Sequence, residues 1–517
     1  MNLTDQEILE LNELCSALLD GRLTDEQRVR LERWLATSEA ARRLYVRIAG
    51  QSASLHLYAS EMHGEVAPAA PRRRRRPLWL AFGAGLAAAA TIAVAFIWQG
   101  SPPPATPARP AVTVARISAV KDAVWNAGGA FAPGRLLVKG EQLELLSGYA
   151  EVTFDSGARA VLQGPATLTV NSAWDSTLRR GTVSATVPRQ AIGFRISNPS
   201  VEIVDLGTEF TMVAGSDGNT EVFVLKGEIE ASPRSGASEA DVLLLREREA
   251  RRFSRSGVSE VPDRETKFEH FLQLAPLERT LPHYRFAHWT FDDAEALGGT
   301  PTSVTGAPLR LAAGHHGRAL RLEGDSYAQS SFPGISGAAP HTVAFWIRVP
   351  EDAPLSEAYS MFGWRSNLAK LSYRPVHISW NRNPNEGALG AIRTDFAGGC
   401  AIGSTSLRDG RWHHIAVVFV PGTGDTPVQV KQYVDGYLES SSIIPGRTRG
   451  PAGQADARLD DTLWIGSRLG ATGPRQERFR GEIDELFVVE GALEPQEIVQ
   501  LQQNHGADGI LGHVAAR

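Results

Sequence analysis

The stretch GYAEVTFDSGARAVLQGPATLTV (Gly148–Val170) decides how most of this chain folds. Ala150-Glu151-Val152-Thr153-Phe154 and Ala166-Thr167-Leu168-Thr169-Val170 alternate small or apolar residues with polar ones, and Asp155-Ser156-Gly157 lies between the two runs. A period of two sends successive side chains to opposite faces, and Asp-Ser-Gly is turn chemistry, so the stretch reads as two strands joined by a turn. The same alternation extends outward from Val112 to about Phe253, with a further turn signal at Ser216-Asp217-Gly218-Asn219. Residues 112–255 are therefore expected to form a β-rich domain.

Bulk composition agrees with a strand-rich chain. At 517 residues the chain has room for about three domains. Its 42% hydrophobic and 21% charged residues are ordinary globular values. Fifty glycines and thirty prolines supply many turns. The 53 basic and 58 acidic side chains leave a net charge of −5, which gives no footprint for a nucleic-acid partner. Two cysteines exclude a disulfide framework, a four-thiolate zinc site and an iron–sulfur cluster, and neither has a neighbour that would activate a thiolate. No cofactor is expected.

N-terminal to the β pattern lies LWLAFGAGLAAAATIAVAFIW (Leu78–Trp98), 21 residues without a charge. As a helix it would be ~31 Å long, the thickness of a bilayer's hydrocarbon core. Five arginines, Arg72–Arg76, precede it, and Trp79 and Trp98 mark its ends. These features predict a single transmembrane helix in the inner membrane, in contact with the lipid bilayer. Residues 1–77 would be cytoplasmic, with everything after the Pro-rich spacer 99–111 periplasmic or extracellular. Cys15 and Cys400 would then lie on opposite sides of the membrane.

Residues 1–65 carry helix signals. Thr4-Asp5-Gln6-Glu7 and Thr24-Asp25-Glu26-Gln27 are capping boxes, each followed by apolar residues at helical spacing, Ile8, Leu11, Leu14 and Leu18 and then Leu31, Trp34 and Leu35. A third helix would open at Ser38 and run through Leu44, Tyr45 and Ile48. The expectation is a small all-α head, followed by a basic juxtamembrane linker at 66–77.

LLDGRLTDEQRVRLERWLATSEAARRLYVRI (Leu18–Ile48) resembles the cytoplasmic head of FecR-type transmembrane regulators, with Arg22 as an insertion. The β domain resembles their exported domain, through Gly148–Val170, the DLGTEF box (Asp205–Phe210) and VFVLKGEIE (Val222–Glu230). That resemblance implies an anti-sigma-type regulator whose head binds an extracytoplasmic-function sigma factor, with Leu18, Leu31, Trp34, Leu35 and Tyr45 as candidate contacts. Equally, these residues could simply form the head's own core. Asp205 and Glu209 are read as holding the Gly207 turn rather than as a catalytic pair. Unlike iron-transport members, this chain continues for more than two hundred residues past the FecR-like part, so iron is not implied as its signal.

Beyond a linker at 256–283 the strand pattern resumes. HWTFDD (His288–Asp293), GRALRLEG (Gly317–Gly324), RWHHIAVVFV (Arg411–Val420), the hairpin signal Asp435-Gly436, TLWIGSRL (Thr462–Leu469) and GEIDELFVVEGAL (Gly481–Leu493) follow in order. A short closing helix is expected in Leu493–Leu501, and 503–517 is read as a tail. The order of these pieces over 284–502 resembles the laminin-G-like, concanavalin A-like jelly roll, an all-β sandwich. Glu482, Asp484 and Glu485 begin a glycosidase-like carboxylate row, but Leu486 and Phe487 stand where a further carboxylate is needed. His413 and His414 are neighbours in a strand and point to opposite faces, so they cannot chelate one metal. Asp292 and Asp293 could ligate calcium, without a compact ladder of oxygen donors around them. No metal and no catalysis are expected. Trp364, Tyr373 and Trp380 are candidates for stacking on sugar rings, with core filling as the alternative.

The fold class expected from sequence is thus a multidomain membrane protein: an all-α head, one transmembrane helix, an all-β FecR-like domain and an all-β jelly roll. The function expected is signal transduction from an envelope or extracellular ligand to a sigma factor. The rival reading is an anchored surface protein that binds a polysaccharide or an envelope protein.

Overall fold

The computed structural model describes Leu14, Gln27, Arg28, Arg30 and Leu31 near the start of the chain, and residues 112–504. Within the latter it omits 127–130, 235–241, 273–276, 278–283, 294–301, 334–338, 356–357, 365–375, 397–398, 421–428, 440–441, 445–461 and 469–477. Residues 1–105 form one unit and Thr106–Arg517 a second, compact one.

The first part of the large unit is a 13-stranded sheet folded around one main core, with a smaller cluster about Phe223. Its spine is the antiparallel series Thr113–Trp125, Glu141–Phe154, Arg159–Ser172 and Asp175–Thr186. The alternation read from sequence becomes packing here. Ala150 faces Leu162 and Val152 faces Ala160 across the ladder, Phe154 follows on the same side of its strand, and all are fully buried. The predicted turn is present: Gly157 donates its N–H to Phe154 O at φ +100°, a conformation in which a Cβ would be strained. Strand Asp175–Thr186 makes the one parallel pairing of this sheet among the described residues, with Arg195–Ser197.

The segment read as a linker at 256–283 is instead partly structured. Strand Gly257–Ser259 extends the sheet, and helix Arg264–Leu272 follows. Phe268 and Phe271, three apart on one helical face, pack edge-on against Phe223 at centroid distances of 5.3 and 5.0 Å. This aromatic anchor binds the helix to the first domain.

The second part is a two-sheet sandwich. The first sheet contains Phe286–Trp289, Arg310–Ala313, Arg318–Glu323, His341–Arg348, Trp412–Val420, Gln429–Val434, Tyr437–Leu438 and Arg480–Val489. The second contains Thr302–Gly306, Ser326–Pro333, Ser360–Trp364, Val376–Trp380, Ala391–Phe396, Gly399–Ser406, Ser442–Ile444 and Thr462–Ile465. Val343, Phe345 and Ile347 from one sheet and Phe362, Ile378 and Trp380 from the other fill the space between them. The hairpin at Asp435-Gly436 has both residues at positive φ, 53° and 81°, as a tight two-residue turn requires. Helix Pro495–Asn504 packs on the outer face of the first sheet through Ile498 and Leu501.

The fold class expected from sequence needs correction. Among the described residues 61% are in strands and 9% in helices, an all-β architecture with the two helices named above attached to it. The expected membrane protein with an all-α head is not what these residues form: no helix among them is long and apolar enough to cross a membrane. The apolar run at 78–98 and all but a few residues of the head lie outside the described residues. What sets the fold class is the period-two pattern that fills most of the chain after residue 112.

Candidate functional site

In the DLGTEF box, Asp205 ends strand Val201–Asp205 with its side chain turned inward. Its Oδ1 accepts the N–H groups of Gly207, at 2.5 Å, and Thr208, at 3.2 Å. Gly207 takes φ +100°. Burial raises the Asp205 carboxyl to about 7, against the pull of those two donors, and Oδ2 has no hydrogen-bond partner among the described residues. Glu209 is exposed on the next strand. One carboxyl ties a turn and the other meets solvent, so the two do not form an acid–base pair.

The acidic row of the distal domain is likewise occupied. Glu482 receives Arg348 Nε at 3.0 Å. Asp484 accepts the N–H of His316, at 2.9 Å, and of Glu485, at 2.9 Å, and burial raises it to about 7. Glu485 lies 2.6 Å from His288 Nε2 and sits at φ +48°. Its position comes from a bulge: Ala344 faces Phe487 but Trp346 faces Asp484, so the Arg480–Val489 strand carries one extra residue there. Asp292 Oδ1 accepts the Arg318 N–H at 2.8 Å. His413 bonds Asp435 at 2.8 Å and Asp409 at 3.2 Å, whereas the His414 ring packs 5.3 Å from Trp346 on the opposite face. No group of three or more metal-ligating side chains occurs among the described residues.

Sequence reasoning missed a Ser–His–Asp row across three neighbouring strands of the second sheet. Ser360 Oγ is 2.6 Å from His377 Nε2, and His377 Nδ1 is 3.4 Å from Asp395 Oδ2. Asp395 is also bound by Arg393, whose guanidinium reaches Glu386 as well. Burial acts against ionisation of Asp395, yet the bonds from His377 and Arg393 hold it below the usual carboxylate range. The exposure gradient runs the wrong way for nucleophilic catalysis. Ser360 and His377 are 0% and 2% exposed, while the Asp395 side chain is 34% exposed. A hydrolase needs its nucleophile at the surface and its orienting carboxylate inside. The row therefore serves as a satisfied polar chain.

The stacking candidates need correcting. Trp364 and Trp380 are buried in the sandwich, Trp380 donating its indole N–H to Ala358 O, so neither ring has a face free for a sugar. Tyr373 lies outside the described residues. A different aromatic pair occupies the outer face of the second sheet. Tyr327 and Trp464 are half-buried and stack at 4.9 Å and 8°, with the Arg478 guanidinium 5.3 Å over Tyr327. The signal for Trp464 was present in Thr462–Leu469: Leu463 and Ile465 are core residues, so the residue between them must face out. Of the candidate sigma-factor contacts, Leu31 is helical and buried, and Leu18, Trp34, Leu35 and Tyr45 lie outside the described residues.

Comparison with known proteins separates the same two parts. Residues 142–230 match the family model described as FecR protein, and residues 322–499 match that of the concanavalin A-like lectin/glucanases superfamily. The chain carries an FecR domain with a laminin-G-like, concanavalin A-like domain C-terminal to it. Among solved structures it is similar to domain 4 of an extracellular arabinanase from Geobacillus stearothermophilus. That match has 22% identity, covers 43% of this chain and 99% of that one, and has a TM-score of 0.30. A second similar structure is an anti-sigma factor, so described with reservation, from Parabacteroides distasonis, at 15% identity, 26% and 65% coverage and a TM-score of 0.22. No curated protein matches the chain.

Proposed function

We propose that this protein is a signal-transduction regulator that binds an extracytoplasmic-function sigma factor through its N-terminal segment. Its FecR and lectin-like domains take the signal from an external ligand. The observation that carries the reading is the FecR match at 142–230, placed behind an N-terminal segment, Leu18–Ile48, that resembles the sigma-binding part of the same regulators. In this reading residues 1–65 lie in the cytoplasm and residues 112–504 outside it, and reporter fusions at Val66 and Arg517 test that placement. The protein needs no catalysis for this role, and Glu482, Asp484 and Glu485 of the distal domain are each bonded to structural partners. Binding of purified sigma factors of the same cell to the full chain, with and without residues 1–70, tests the partner. Capture that requires residues 1–70 supports the reading, and no capture of any sigma factor removes it.

The second reading, a surface polysaccharide-binding protein, is favoured by one observation, the outward Tyr327–Trp464 stack with Arg478 beside it. A sugar ring needs an aromatic face left open, and with Tyr327 covered by Trp464 and Arg478 it is the half-buried Trp464 that would offer one. Trp464→Ala should abolish retention on immobilised polysaccharides that hold the wild type. Equal retention would separate the stack from any sugar site.

A further inference from the structure

Strand Gln429–Val434 has two faces. Val430 and Val434 point into the sandwich core, while Gln429, Lys431 and Tyr433 project from the outer face of the first sheet. All three of the outward residues meet the FecR domain. Gln429 accepts the Thr113 N–H at 2.9 Å and its hydroxyl at 2.8 Å, and donates to Thr113 O at 3.0 Å. Lys431 Nζ is 2.6 Å from Asp155 Oδ2, and the Tyr433 hydroxyl donates to Asp155 O at 3.1 Å. The chain after the last strand adds to this contact. Arg116 donates to Ala492 O at 3.1 Å, and Gln496 donates to Gly157 O at 2.7 Å. Leu136 packs into the apolar cluster formed by Tyr433, Leu493, Ile498 and Leu501.

The Lys431–Asp155 pair is the unusual member. Both side chains are almost fully enclosed, at 4% and 8% exposure. Burial drives the Lys431 ammonium below its ordinary range, and Asp155 is the charge that opposes the shift. Such a pair contributes little net stability compared with apolar groups, but either charge without the other is strongly unfavourable. It therefore selects one docked geometry and penalises every other. The turn that it grips, Asp155-Ser156-Gly157, is the hairpin between the two longest runs of the FecR domain's core, Glu141–Phe154 and Arg159–Ser172.

We infer that the lectin-like domain is a docked partner of the FecR domain, latched at the Asp155–Gly157 turn by Lys431, and that the two work as a single sensor body. A ligand held by the sandwich then reaches the FecR core through this turn. The sensor role rests on the proposed function, whereas the docking of the two β domains stands whether or not a sigma factor is the partner.

Calorimetry and native hydrogen exchange on the full chain test it, with Lys431→Met, Asp155→Asn and the double variant. The wild type should show one transition for the two β domains together. Each single variant should split it and speed exchange in residues 493–504 by roughly tenfold or more, because an unpaired buried charge is left. Exchange in His341–Arg348 and Arg159–Ser172 should stay slow, showing that both cores remain folded. The double variant, with no unpaired charge, should recover most of the protection. Gln429→Ala leaves no buried charge and should give a smaller increase in the same segment, which covers the case of a single variant that does not fold. Two separate transitions in the wild type, or wild-type exchange in residues 493–504 of Gln429→Ala and both single variants, would overturn the inference.

Discussion

Asp205 and Trp380 show how single residues divide the work of the two domains. Asp205 is raised to about 7 by burial, above the ordinary aspartate value near 4. Its folded form thus binds a proton more readily than its unfolded form. The stability it contributes is complete below about pH 4 and is lost as pH rises through about 7, by up to roughly 4 kcal/mol for a shift of this size. Asn keeps an oxygen for the Gly207 and Thr208 N–H groups and cannot ionise. Asp205→Asn should therefore gain on the wild type between pH 5 and pH 8 in urea unfolding, and an equal difference at both would show that Asp205 does not titrate there. Asp484, raised in the same way, should leave a residual slope in that variant. Trp380 fills the sandwich core and donates its indole N–H to Ala358 O, and Trp380→Ala should cost about 3–5 kcal/mol in unfolding. A loss below about 1 kcal/mol would mean that the ring is not enclosed as described.

At the scale of elements, alternation made the strands legible and the close reading of each strand was also available. Val376, Ile378 and Trp380 occupy every second position of one strand, so Trp380 had to share their core face. The turn at Asp155, the hairpin at Asp435 and the Asp205 side-chain bonds follow from local chemistry, and all three occur. Local chemistry does not reach across strands. Ser360, His377 and Asp395 meet only because three strands pair, His377 directly opposite Asp395 and Ser360 beside a register shift, and the bulge at Glu485 depends on the partner strand. Helix Arg264–Leu272 escaped because it is short and polar overall, with Phe268 and Phe271 as its anchors. Phe268→Ala should release this helix, seen as faster exchange across 264–272 with the Glu141–Phe154 strand unaffected. Unchanged exchange would contradict the anchoring role of that ring.

For the whole molecule, the order of parts was legible because each part leaves its own pattern in the chain, and the two family matches fall on the two β domains. The docking of one on the other was not, because Gln429, Lys431 and Tyr433 look like any solvent face until the opposing surface is known. In the proposed function, an FecR domain with a lectin-like domain fixed to it governs a sigma factor. Sigma-dependent transcription, measured in cells carrying the full chain, a chain lacking residues 284–517 and the Trp34→Ala chain, tests this most directly. Loss of 284–517 should shift the transcription of one sigma factor's targets, and Trp34→Ala should uncouple those targets from the protein. Identical transcription in all three strains would contradict it.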